Sequence, residues 1–389
     1  MNKNMTKNKR KYLLFYLKTG GGHFAPASSL ANYLKRHHSE DVSPVLIDGF
    51  EKTNRLVKNL VEEGYRHLQS KAKWIYEALY AFNKIKLFAR ISCFIASKSS
   101  VKFIKDRIKE ENPEKIIILH FFLIEPVYEA VKKLQLNIPV YTLVTDPFTA
   151  HPMWFLRKHQ SFIVFSERLK KSLSGKFSED QIRVFQFILD EKFSQPVPAS
   201  AIKALKIEMG FIPEKKIILI LGGGDGIPQG RIILEKILTS KPDSEIAVVC
   251  GKNKSFYNAA LRLKEKNPDL SIKVYEFISF VYELLNISDV VITKCGASTM
   301  MEILILNKIP VVNNYLWEQE KGNIEFIRDN KLGIYEKTIS KIPDVIKELI
   351  EDNENYEKFK KNIESLNIRN GVADVAEFLI SSNSVQEEL

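Results

Sequence analysis

Two doubly wound α/β halves are what this 389-residue sequence predicts. Three observations carry the prediction. Short β-branched strands recur with helical segments between them, and a run of three glycines follows the first strand of each half. A Pro/Ser-rich stretch at 194–200, where apolar periodicity lapses, then separates the halves. A single core stops growing beyond about 250–300 residues, so the length itself calls for two domains. We expect an N-terminal Rossmann-like domain over 1–195, a C-terminal one over 196–365, and a helical tail over 366–389 able to cross back to the first domain.

The strands of the first half are read at 11–17, 43–48, 115–120, 139–145 and 161–165. Those of the second half are read at 216–221, 245–250, 272–277, 289–293 and 310–314. Most are continuous apolar runs such as KIILIL, the pattern of parallel strands buried on both faces.

Residues 53–110 break this rhythm. Over 71–109 the chain holds ten Lys/Arg against two acidic residues, interleaved with Trp74, Tyr76, Tyr80, Phe82, Phe88 and Phe94. Ile75, Leu79, Phe82 and Ile85 fall on one helical face, which can lie in a bilayer interface or pack on the first sheet. Charge favours the interface. Residues 1–200 carry 33 Lys/Arg against 19 Asp/Glu, whereas residues 201–389 carry 25 against 28. The excess of +14 in one half points to an anionic surface, with a merely solubilising Lys-rich surface as the plain alternative. We read Lys71, Lys73, Trp74, Lys84, Lys86 and Arg90 as membrane contacts. No run reaches the ~18 apolar residues of a spanning helix. The basic N-terminus precedes only the short apolar run Tyr12–Leu17 and no small-residue cleavage site, so a cytoplasmic protein is expected. Cys93, Cys250 and Cys295 form no CxxC pair, which predicts neither a disulfide framework nor a metal site.

The chemistry gathers at strand ends. Thr19-Gly20-Gly21-Gly22-His23 follows the first strand and leads into a helix from about Phe24. Glycines there permit close approach of another molecule, and His23 at the carboxyl edge of the sheet can act as a general base. The loop is not GxGxxG, so dinucleotide binding is a poor fit. Gly222-Gly223-Gly224-Asp225-Gly226 repeats the device in the second half. In DVVITKCGASTMMEIL the strand turns into a helix near Ser298, where Ser298 or Thr299 can touch a phosphate and Glu302 can accept from two vicinal hydroxyls. Gln319 and Asn323 add amides suited to a sugar's hydroxyls.

TGGGH, VTDPFTAHPMWF, LGGGDG, CGKN, TKCGASTMME and QEKGN stand in the order found in glycosyltransferase family 28. In these motifs the chain resembles the monogalactosyl- and processive glucosyl-diacylglycerol synthases, relatives of the lipid II N-acetylglucosaminyltransferase. The resemblance implies a GT-B fold, two Rossmann-like domains facing a cleft, and an inverting transfer of galactose or glucose from a UDP-sugar to diacylglycerol. It implies His23 as base and Asp146 as the residue orienting it or the acceptor, with Gly21, Gly22, His151 and Trp154 on the acceptor side. On the donor side it implies Gly223, Gly224, Ser298 and Thr299 at the diphosphate, Phe277 and Ile278 at the uracil, Glu302 at the ribose, and Gln319 and Asn323 at the sugar. No metal and no cofactor beyond the UDP co-substrate is expected, and the place of work would be the inner face of the cell membrane on anionic lipids. Three substitutions depart from the family pattern: Gln186-Phe187-Ile188 before the linker, Glu276 before the uracil residues, and Trp317-Glu318 before Gln319. A sterol or polyprenyl acceptor would use the same chemistry. A non-catalytic nucleotide-sugar or nucleic-acid binder is the reading from another class, but no nucleic-acid motif supports it.

Overall fold

The computed structural model describes residues 9–19, 21–53, 58, 86–315 and 318–382. The chain divides into two compact units, Met1–Glu191 with Gly371–Leu389, and Lys192–Asn370.

The first unit runs β1 (Arg10–Tyr16), α1 (Gly21–His37), β2 (Val42–Asp48), α2 (Lys86–Glu111), β3 (Lys115–Ile118), α3 (Ile124–Lys133), β4 (Val140–Leu143), β5 (Ser161–Val164), α4 (Glu167–Leu173) and β6 (Ile182–Val184). Its described strands pair in parallel in the order β2-β1-β3-β4-β5-β6. Leu13, Leu14, Phe15, Ile116, Ile117 and Ile118 have no exposure, as continuous apolar runs in a doubly covered sheet require. β6 is a short edge strand with no apolar run to announce it. The helix expected from Phe24 begins at Gly21, so Gly21, Gly22 and His23 form its first turn. Pro26 therefore falls inside the helix and cannot donate to the carbonyl of Gly22.

The second unit runs α5 (Ala199–Glu208), β7 (Ile217–Leu221), α6 (Gly230–Thr239), β8 (Glu245–Val249), α7 (Lys254–Glu265), β9 (Ile272–Tyr275), α8 (Val281–Ile287), β10 (Val290–Lys294), α9 (Ala297–Ile305), β11 (Ile309–Asn314), α10 (Glu318–Asp329), β12 (Ile334–Tyr335), α11 (Ile342–Glu351) and α12 (Asn353–Ser365). The order β12-β11-β10-β7-β8-β9 is the Rossmann arrangement. In each unit the strand order reverses beside the first strand, between β1 and β3 and between β7 and β10. Ligands of such sheets bind at those crevices.

The last helix, α13 (Val372–Ser381), belongs to the first unit. Gly371 opens it, and its amide donates to the Phe187 carbonyl at 2.9 Å. A Cβ on Gly371 would lie 1.9 Å from the Gln186 carbonyl oxygen, so only glycine fits this approach. The far end of α13 is anchored by Lys115, whose buried ammonium donates to the Leu379 carbonyl at 2.5 Å and to the Ser382 carbonyl. Tyr12 Oη donates to the same Leu379 oxygen at 3.2 Å, and Tyr141 Oη to Ser382 Oγ at 2.8 Å. These donors satisfy carbonyls that a helix end leaves free, and the cation complements the negative pole of the helix.

Candidate active site

In the first unit the site forms where β1, β3 and β4 end. His23 sits one turn past β1, and its Nδ1 lies 2.8 Å from the Leu119 carbonyl oxygen and 2.9 Å from Thr145 Oγ1. A carbonyl only accepts, so the ring proton belongs on Nδ1, and Nε2 is left as the lone pair that can take a proton. Burial lowers the imidazole to about pH 4, against the opposing pull of the Leu119 carbonyl, so the ring is neutral at physiological pH. Gly21 and Gly22 are exposed, and an added Cβ on either would meet nothing within 4 Å. Packing thus gives no reason for glycine there, whereas close approach of another molecule does. Gly20 lies outside the described residues.

His120 was missed by the sequence reading, which took it as the end of a strand. It is 3% exposed, and its ring centroid is 4.4 Å from that of His23. Its Nδ1 accepts from the Phe122 amide at 3.2 Å, which leaves Nε2 protonated. Burial, then the neighbouring His23, holds it well below the usual histidine range. Thr145 was missed as well. The signal for both was position: they stand just past the carboxyl ends of β3 and β4, at the crevice.

The structure corrects the reading of the acceptor loop. Trp154 has no exposed surface, and its indole Nε1 donates to Asp146 Oδ2 at 2.9 Å, so it positions that carboxylate. His151 is also buried, and its Nδ1 accepts from the Met153 amide at 3.2 Å, capping the turn Pro152–Phe155. Asp146, half-buried, thus has its placement set by Trp154, while His23 takes its orientation from Leu119 and Thr145. Of the expected membrane residues, Lys71, Lys73, Trp74, Lys84 and the side chain of Lys86 lie outside the described residues. Arg90 is exposed on α2, next to an exposed apolar face of Ile91, Phe94 and Ile95.

In the second unit Gly223, Gly224, Phe277 and Thr299, four of the expected donor residues, come together past the ends of β7 and β10. Gly223 adopts φ +73°, a backbone conformation that favours glycine, and a Cβ there would lie 3.8 Å from Thr299 Oγ1. A Cβ on Gly224 would lie 3.9 Å from the Phe277 ring. Phe277 is 62% exposed, with Lys252 Nζ 5.5 Å from its ring centroid and half-buried Ile278 beside it. Gly296 precedes α9 and provides no side-chain cap, so the first amides of the helix have no side-chain partner at that position. Ser298 Oγ in the first turn is buried and unpaired. Free amides, a positive helix end and an unpaired hydroxyl are features that suit an anion. Glu302 is half-buried one turn along.

Asn323 is only 1% exposed, and its Nδ2 donates to the Cys295 carbonyl at 2.9 Å. Its amide nitrogen therefore fixes the turn that leads into α9, which corrects the expectation of an open sugar contact; its Oδ1 is buried without a hydrogen-bond partner. The side chain of Gln319 lies outside the described residues. Glu320, beside Gln319 in the same motif, brings Oε1 to 3.9 Å of where a Gly296 Cβ would sit. Burial pushes the Cys295 thiol well up, which disfavours its thiolate. No three of the described His, Cys, Asp and Glu residues group as a metal site, and no helix among the described residues is long and apolar enough to cross a membrane.

Two parallel six-stranded sheets, each in a Rossmann-like unit, make up the GT-B fold. Residues 23–185 match the Monogalactosyldiacylglycerol (MGDG) synthase family, and residues 217–378 match the glycosyltransferase family 28 C-terminal domain. The chain belongs to glycosyltransferase family 28. It is 26% identical over 383 residues to a processive diacylglycerol beta-glucosyltransferase of Bacillus pumilus, covering 98% of this chain and 97% of that one. It is 26% identical over 345 residues to the chloroplastic monogalactosyldiacylglycerol synthase 2 of Arabidopsis thaliana, covering 86% and 71%. Among solved structures, Acinetobacter baumannii MurG superposes with a TM-score of 0.61 at 13% identity, covering 96% of this chain and all of that one. TcCGT1 in complex with UDP superposes with a TM-score of 0.64 at 12% identity, covering 95% and 99%.

Proposed function

We propose that this enzyme transfers galactose or glucose from a UDP-sugar to 1,2-diacylglycerol with inversion, working as a peripheral protein on the inner face of the cell membrane. The observation that carries the chemistry is the His23 ring, with Nδ1 turned to the Leu119 carbonyl and Nε2 left basic. In this reading His23 Nε2 takes the proton of the acceptor hydroxyl as its oxygen bonds to the anomeric carbon. The bond from that carbon to the UDP oxygen breaks, and the diphosphate departs with the electron pair. The negative charge that develops falls on the N-terminus of α9, with Ser298, Thr299 and the Gly223–Gly224 amides as donors. Phe277 and Ile278 hold the uracil, Glu302 the ribose hydroxyls, and Gln319 the sugar. Asp146 lies on the acceptor side, and no cofactor beyond the UDP co-substrate takes part. The relatives' names support the lipid acceptor and leave both hexoses open, since one is a glucosyltransferase and the other a galactosyl-lipid synthase. The excess of cations in residues 1–200 supports an anionic membrane surface.

The test is a transfer assay with purified protein, liposomes containing diacylglycerol and phosphatidylglycerol, and labelled UDP-hexoses. A β-glycosyl diacylglycerol is the expected product. Absence of lipid product with every UDP-hexose overturns the reading, and transfer only to sterol or polyprenol acceptors replaces diacylglycerol.

A further inference from the structure

The first unit contains a cavity of ≈ 530 Å³ between the loop 148–156 and α4. Phe148, Ala150, Phe155, Leu156, Leu169 and Leu173 give it an apolar wall, and Thr149, Arg168, Ser172 and Lys176 make the rest of its lining polar. The volume falls within the range of small-molecule sites. We propose that this cavity holds an acyl chain of the acceptor lipid; the proposal rests on the lipid-acceptor reading above.

Continuity with the base argues for the occupant. The loop that walls the cavity is the loop that serves His23: Thr145 contacts its Nδ1, Asp146 receives the Trp154 indole, and Phe148 begins the cavity wall two residues later. Ser166 ties the two walls together. Its Oγ donates to the Pro147 carbonyl, and the same oxygen accepts from the Leu169 amide to cap α4. A glycerol hydroxyl presented to His23 Nε2 would therefore have an apolar slot beginning beside the same loop. The outer surface agrees. Ala89 on α2 also lines the cavity, and α2 exposes Ile91, Phe94 and Ile95 one turn further on. Residues 86–105 contain five Lys/Arg and no Asp/Glu, and exposed Arg168 and Lys176 stand at the cavity itself. An apolar slot framed by cations suits a chain drawn from a phosphate-bearing bilayer.

The experiment uses the whole, unaltered chain with vesicles of phosphatidylcholine and phosphatidylglycerol. The vesicles contain a diacylglycerol whose acyl chain bears a diazirine, and adducts are mapped by peptide mass spectrometry after irradiation. Adducts in 148–156 and 168–173 that unlabelled diacylglycerol competes away are expected. Adducts confined to Ile91–Ile95 or to other segments overturn the proposal. So does competition by phosphatidylglycerol alone, which would assign the slot to a phospholipid chain. A second measurement uses Ser172→Phe, which projects a ring into the cavity from an exposed position. The ratio of kcat/KM for dioleoylglycerol to that for dibutyrylglycerol should fall by about tenfold or more. A ratio within about twofold of the parent's overturns the assignment. Adducts in the cavity without any sugar transfer would leave the slot standing and remove the proposed reaction. Transfer with adducts elsewhere would do the reverse.

Discussion

His23 Nδ1 and the carbonyl oxygen of Leu119 lie 2.8 Å apart, so a backbone oxygen holds the imidazole that would otherwise need a carboxylate partner. A carboxylate would raise the ring's proton affinity by charge, whereas a carbonyl fixes the tautomer and supplies only a dipole. Burial then prevails and the ring titrates at about pH 4. His23→Ala should lower kcat by about 10²- to 10⁴-fold, the usual worth of a general base, while UDP binding measured by calorimetry persists. The acidic limb of kcat/KM should lie near pH 4 and not near the ~6.5 of an unperturbed histidine. A limb at 6.5 would mean that the ring is not desolvated in the working enzyme.

The same shift has a stability consequence. A histidine whose folded pKa is depressed binds its proton more readily in the unfolded chain, so its neutral form is fully accommodated above ~6.5 and stability falls as pH drops toward the folded value. His23 and His120 both act in this direction. Thermal melts should therefore show Tm declining between pH 6.5 and 4, and His120→Gln should flatten part of that decline.

Thr145 is the second partner of His23 Nδ1, at 2.9 Å. Thr145→Val keeps the shape and removes the hydroxyl. It should reduce kcat about fivefold, matching the ~1 kcal/mol net worth of a neutral hydrogen bond, with KM for the UDP-sugar unchanged. An effect confined to KM for the UDP-sugar would move Thr145 out of the base's support.

In the donor unit, Ser298 Oγ is buried without a partner, so its hydroxyl is a cost to the empty protein. Ser298→Ala should leave the Tm of the free enzyme unchanged or raised. The affinity for UDP, read by calorimetry, should nonetheless weaken by about tenfold or more, as expected for a lost hydrogen bond to a charged group. A fall in Tm with unchanged UDP affinity would make Ser298 purely structural.

Much of this was legible because the chemistry of doubly wound sheets collects at strand ends. TGGGH and LGGGDG follow the first strand of each unit, and Ser298, Thr299 and Glu302 stand where a strand hands over to a helix. The second glycine loop, the first turn of α9 and Phe277 do converge in the second unit. What stayed hidden depends on contacts distant in sequence. Trp154 stands in a motif that reads as acceptor-facing, yet its burial beside Asp146 follows from the packing of three strand-end loops. The anchoring role of Lys115 leaves no local mark, because the Leu379 carbonyl it serves lies 264 residues away. The edge strands Ile182–Val184 and Ile334–Tyr335 are too short for any periodicity to mark them.

Gly371 makes a sharp steric test of how the chain enters α13. A methyl group there would sit 1.9 Å from the Gln186 carbonyl oxygen, which is backbone and cannot rotate aside. Gly371→Ala should destabilise the protein by about 1–3 kcal/mol, the typical cost of forced overpacking. Retained stability would show that the 186–187 segment can shift to admit the methyl group.

Lys115 provides the complementary test at the other end of α13. Its ammonium is buried, and desolvation lowers its proton affinity. The ion is held by the Leu379 and Ser382 carbonyls at the negative pole of a helix. Lys115→Met preserves the stem and removes the donors, leaving those carbonyls to Tyr12 alone or to water. We expect a loss of about 1.5–3 kcal/mol, which corresponds to a few degrees in Tm for a unit of this size. A chain ending at residue 370 should be destabilised as well, and in that background Lys115→Met should cost much less, since the carbonyls it serves are gone. Equal costs in both backgrounds would show that Lys115 acts on the sheet and not through α13.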